Sequence, residues 1–185
     1  LREGHFFYGH GSVSADGRLL YSTETRLADG SGVIAVRDTR TLEYLGEFPS
    51  HGDHPHECRL IEGGRVMVVT NGGGTEESGH RPSLAYVEVR SRRLLLRLEL
   101  PGSQFNAGHV AVAGRSAVVV SAPRRGLPAD RLGAVSVHGP SGGLHTLHEP
   151  AAVISRMQGE SLSVTIHAGS GVFGVTHPNG NMVSF

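Results

Sequence analysis

The chain is 185 residues long, with seventeen basic and seventeen acidic side chains, twelve histidines, one cysteine and no lysine. That length can bury a substantial core, while zero formal charge leaves no electrostatic footprint for nucleic acid or an anionic membrane. The missing lysine excludes a P-loop lysine and Schiff-base chemistry within these residues, and the single cysteine excludes an internal disulfide and a CxxC metal site.

Along the chain, short apolar runs alternate with glycine turns, the pattern of half-buried strands. The first unit opens at His10–Ser14, turns at Asp16-Gly17, returns along Arg18–Thr23, continues as Gly32–Arg37 and ends as Glu43–Phe48, closed by Pro49. The second runs Glu57–Ile61, Gly63-Gly64, Arg65–Thr70, Ser83–Val89 and Leu94–Leu100, closed by Pro101. The third runs Gly108–Ala113, Gly114-Arg115, Ala117–Ser121, Gly133–Val137 and Gly143–Leu147, followed by Pro150. A short helical turn or an irregular connector at Ala151–Met157 leads into a fourth unit, which starts at Glu160 and reaches Phe185 without an outer strand.

His10, His56 and His109 stand near the start of the innermost strand of successive units, 46 and 53 residues apart. Periods of about 40–50 residues fit four-stranded propeller blades and are long for helical repeats. The expected fold is all-β: a β-propeller of four-stranded antiparallel blades, with residues 1–185 forming a single partial domain. Its blades fall at about residues 5–50, 51–101, 102–150 and an incomplete 151–185, some three and a half blades of a larger ring. Open blade edges invite pairing with another chain, so such a segment is expected to self-associate. The residues contain neither a secretory signal nor a transmembrane run.

Innermost strands line a propeller's channel, so His10, His56 and His109, with Glu57 beside them, are expected to converge at one mouth of it. That convergence reads two ways. Either the imidazoles form a ligand or transition-metal site, or each bonds a neighbouring blade's backbone and holds the ring together. A second cluster, His51, Asp53 and His54 in SHGDHPHE, is a weaker metal candidate, because loop histidines are often only solvated. Asn71, Gly72 and Gly73 form either a backbone nest for an anion or a plain glycine-rich hairpin. Cys58 reads as a buried small hydrophobe, and the clusters Arg90–Arg93 and Arg124-Arg125 read as solvated loop charge. No GxSxG, HExxH or paired-carboxylate motif marks a catalytic centre.

The strings FFYGHGSVSADGRLLYSTE, GVIAVRD, LGEFPSHGDHPHECRL, VMVVTNGG, PSLAYVEV and GVFGVTHPNGNMVSF cover most of the chain. Together they resemble an uncharacterised exported propeller family of proteobacteria, a domain of unknown function of WD40/YVTN-like type. Its members are often encoded beside imelysin-type and di-haem proteins of iron uptake. The resemblance implies a seven-bladed ring in the periplasm, longer than this chain, and supplies no catalytic residues. A looser resemblance, through Pro55-His56-Glu57, is to lactonase-type propellers. The leading expectation is thus a non-enzymatic periplasmic propeller that binds a metal or an exported iron-uptake partner. The alternatives are a lactonase-like or metal-dependent redox enzyme with a histidine-lined channel, and a plain scaffold.

Overall fold

The structure, a computed structural model, describes residues 3–75, 78–128, 130–140 and 142–185. Its strands form four antiparallel sheets in which sequence neighbours are spatial neighbours. The first sheet comprises β1 (His5–Val13), β2 (Leu19–Arg26), β3 (Ser31–Asp38) and β4 (Tyr44–Asp53). The second comprises β5 (Pro55–Ile61), β6 (Val66–Asn71), β7 (Ser83–Glu88) and β8 (Arg93–Glu99). The third comprises β9 (Val110–Ala113), β10 (Ser116–Ser121), β11 (Ala134–His138) and β12 (Leu144–Thr146). A helical turn, α1 (Ala151–Ile154), precedes the fourth sheet of β13 (Val164–Ile166), β14 (Phe173–His177) and β15 (Met182–Ser184). The fold is the all-β blade architecture that the strand periods imply. No described helix is long and apolar enough to cross a membrane.

The core lies between the sheets, as alternating strands require. On β6, Met67 and Val69 pack toward the first sheet against Tyr21, Ile34 and Phe48. The intervening Val68 packs toward the third sheet with Leu84, Val110 and Val119. Met157, just past α1, fills the space between the third and fourth sheets with Val118, Val135 and Val175. Each fully buried side chain of this kind stabilises the fold by about 1.5–3 kcal/mol. Hydrogen bonds from side chains join the inner strands. Ser12 Oγ donates to Cys58 O at 2.6 Å, and Thr23 Oγ1 lies 3.2 Å from His10 O and 3.1 Å from His56 O.

Two expectations are corrected here. Pro49 does not close a strand: it sits inside β4 opposite Val33, and β4 runs on to Asp53. β4 is the outer strand of its sheet, where a missing N–H costs no ladder bond. Arg124 is not solvated, being only 2% exposed. Its guanidinium donates to the carbonyls of Gly73 at 2.6 Å, His80 at 2.9 Å, Ser103 at 3.2 Å and Gly74 at 3.3 Å, and also to that of Thr75. It thereby fastens the loop after β6 to the loop before β9. Arg90, Arg92 and Arg93 are exposed, as expected of loop charge.

Candidate metal centre

The ladder registers show which residues are equivalent. Gly11, Cys58, Val110 and Val164 pair with Ser22, Val69, Val119 and Val175, so the residues just before them occupy matching places. Those residues are His10, Glu57, His109 and Ser163. The next residue of each second strand confirms the match. Thr23 Oγ1 lies near His10 O, Thr70 Oγ1 accepts from Glu57 N, Val120 N donates to His109 O, and Thr176 N donates to Ser163 O. His56 is therefore one residue out of step with His10 and His109, which corrects the simple repeat of three histidines. The ladder of β5 shifts register between Pro55 and Cys58, and such a bulge re-aims side chains. The places matching His56 in the neighbouring blades are Gly9 and Gly108, which carry no side chain.

The three imidazoles come together. Ring centroids are 4.8 Å apart for His10 and His56, 4.7 Å for His10 and His109, and 4.9 Å for His56 and His109. One nitrogen from each ring can be chosen so that all three lie within 4.8 Å of one another. Zinc–imidazole bonds of about 2.0–2.1 Å set nitrogens about 3.4 Å apart in a tetrahedron. Closing the trio onto an ion therefore takes an inward shift of roughly an ångström at most for each nitrogen, within reach of small side-chain rotations. Tyr8 packs its ring edge-on to His56 at 5.8 Å.

Burial and mutual proximity favour the neutral form of His56 and His10. Burial, then the neighbouring His109 and His10, push the His56 imidazole down to about 4. Burial and His109 also lower His10. Neutral imidazole is the form that carries a free lone pair for a metal. Moreover, Nε2 of His56 is buried and has no hydrogen-bond partner among the described residues. A buried polar atom left without a partner calls for an explanation, and an ion bound between the rings would supply one.

Glu57 supports the trio from behind. Its Oε2 accepts from Val110 N at 2.8 Å and lies 3.3 Å from His109 Nδ1, while Oε1 pairs with Arg59 at 2.6 Å. Burial pushes its carboxyl up, but the bonds from His109 and Val110 and the Arg59 charge outweigh that and hold it below the ordinary value. With its Nδ1 turned to a carboxylate, the His109 ring is oriented in the manner of carboxylate-backed metal ligands. Arg59 and Tyr8 were not singled out from the sequence. Each stands two residues along a strand from a candidate, Arg59 from Glu57 and Tyr8 from His10, and that same-face spacing was the available signal.

The other candidates do not assemble. His51, Asp53 and His54 form no cluster with one another; among the described residues only the trio does. Asp53 instead pairs with His80 Nδ1 at 2.6 Å, and His51 Nε2 lies 3.3 Å from Arg92 O. His51 and His54 both have left-handed backbone, with φ of 61° and 51°. The anion nest fails too. Gly72 N donates to His54 O at 2.8 Å, Gly73 N donates to Asp53 O at 3.0 Å, and the Asn71 side chain is bonded to Ser50. Cys58 is fully buried, and burial pushes its thiol up to about 12, which leaves it inert.

Comparison with known proteins follows this geometry. No curated protein matches the sequence. Among solved structures, the β-propeller domain of Cps50 (Swd1) from Myceliophteria thermophila is similar, with a TM-score of 0.67 and 15% identity. The alignment covers 97% of this chain and 50% of that one, so the chain spans half the length of that propeller. At this identity the likeness speaks for the fold alone. Residues 1–185 match the family described as "Protein of unknown function (DUF1513)".

Proposed function

The chain belongs to the DUF1513 family of proteins of unknown function, and from that premise we propose that it is a propeller that binds a first-row transition metal through His10, His56 and His109. The observation that carries this reading is the buried His56 Nε2, without a partner among the described residues, in a cluster of three imidazoles. Imidazole suits zinc, copper, iron and nickel, and three protein ligands leave at least one coordination position open. Glu57 would orient His109, and Tyr8 would brace His56. The resemblance noted above extends the reading to a seven-bladed ring in the periplasm, where the bound ion serves iron uptake alongside exported partner proteins. In that setting the protein presents or holds an ion rather than turning over a substrate.

The test is metal analysis of the aerobically purified protein by plasma mass spectrometry, followed by titration of the stripped protein with Zn2+, Cu2+ and Fe2+. One equivalent of metal in the wild type, lost in the His10→Ala/His56→Ala/His109→Ala variant, is the expected outcome. Equal metal binding by wild type and the triple variant overturns the assignment.

A further inference from the structure

A cavity of about 190 Å³ opens on the far side of His56, lined by Tyr8, His54, Asn106, Ala107 and Arg125 together with loop residues after β6. It exceeds the space a single water needs and falls below the roughly 300–1,000 Å³ of pockets for drug-sized ligands. No described lining residue is acidic.

Several of its polar groups have no partner among the described residues. Arg125 is exposed and makes no hydrogen bond or ion pair with a described residue, unlike the buried Arg124 next to it. Asn106 Oδ1 accepts from Ala122 N at 2.8 Å, which fixes the amide, and its Nδ2 donor has no partner among the described residues. Tyr8 packs on Phe6 and His56 through its ring, and its hydroxyl has no described partner. One cation and two neutral donors, all unpaired among the described residues, make a cradle for a singly charged, planar anionic head, because the guanidinium fork matches a carboxylate in bidentate fashion. A doubly charged phosphate would remain half-neutralised by a single arginine. Ala107 and the bare backbone of Gly72 and Gly74 give the rest of the cavity room for a short apolar stem.

We propose that this cavity binds a small organic carboxylate, with Arg125 pairing the carboxylate and Tyr8 and Asn106 donating to it. The site shares His56 with the proposed metal centre but does not require an ion, so the two readings fail separately.

The experiment is calorimetric titration of the metal-stripped protein with propionate, its neutral counterpart propionamide, and inorganic phosphate. Propionate binding in the millimolar range or tighter is expected, with no binding of propionamide. Arg125→Gln should weaken propionate at least tenfold, and Tyr8→Phe by a few-fold; Arg125 is exposed and unpaired among the described residues, so folding is not at stake. Retained propionate binding in the His10→Ala/His109→Ala variant, which leaves His56 in place, supports a pocket independent of the ion. Unchanged affinity in Arg125→Gln, or binding of phosphate in preference to propionate, overturns the proposal.

Discussion

Glu57, on the inner strand of the second blade, accepts a 2.8 Å hydrogen bond from the backbone N–H of Val110, the first residue of the inner strand of the third. The same carboxylate holds His109 and Arg59, so it joins two blades while setting one ring of the trio. Removing it leaves a buried N–H without a partner. Glu57→Ala is expected to lower the free energy of unfolding by about 2–3 kcal/mol, and Glu57→Gln, which keeps an acceptor, by less. Chemical denaturation checks this, and a Glu57→Ala variant as stable as wild type contradicts it.

Acid should weaken the metal-free protein through His56. An unfolded chain protonates this imidazole near 6.5, the folded protein only near 4. Between those values the unfolded state binds more protons, so stability rises with pH there. It is complete above about 6.5 and is lost as pH falls toward 4. Denaturation midpoints at pH 7 and pH 4.5 should differ more for wild type than for His56→Gln. Equal differences would remove His56 as the cause.

Tyr86 offers a test away from the candidate site. Its hydroxyl is buried without a partner among the described residues, and burial pushes the phenol up to about 12. Tyr86→Phe removes an unpaired polar group and keeps the ring, so stability should be unchanged or higher by roughly 1 kcal/mol. In the wild type, stability should also fall as pH rises from about 10 to about 12, because only the unfolded chain releases the phenolic proton in that window. A variant less stable by more than about 1 kcal/mol would reveal a hydrogen bond that the structure does not show.

Arg124 predicts local behaviour. Five carbonyls converge on its guanidinium, from the loop after β6 and the segment before β9. Lysine carries a point charge and cannot span that fan. Arg124→Lys and Arg124→Ala should both free the loop and speed amide hydrogen exchange at Ser78 and His80. Exchange rates equal to wild type would show that the loop is held by other contacts.

The blades were legible because their signal is local: a glycine turn and a run of β-branched residues such as VMVVTN or SAVVVS need no knowledge of the partner strand. The convergence of His10, His56 and His109 followed from the repeat, but their register did not. A bulge at Pro55–Cys58 shifts His56 by one place, and bulges depend on how two strands settle against each other. The choice between nest and plain hairpin at Asn71–Gly73 was not legible for a related reason. The N–H groups of Gly72 and Gly73 are taken by carbonyls of the chain turning out of β4, residues distant in sequence. Arg124 and Arg125 are neighbours in sequence, yet one is sealed inside and the other lines a cavity, a division set by loops that periodicity does not describe.

Ser163 holds the fourth place in the circle that His10, Glu57 and His109 begin, and it lines the same cavity of about 270 Å³ as those three. Each of the four sheets therefore contributes one polar side chain to the same wall, and three of the four are groups able to hold a proton or a metal while the fourth is a neutral hydroxyl. Ser163→His would place a further imidazole at the fourth place, so on the proposed metal reading that variant would bind an ion more tightly than the wild type does.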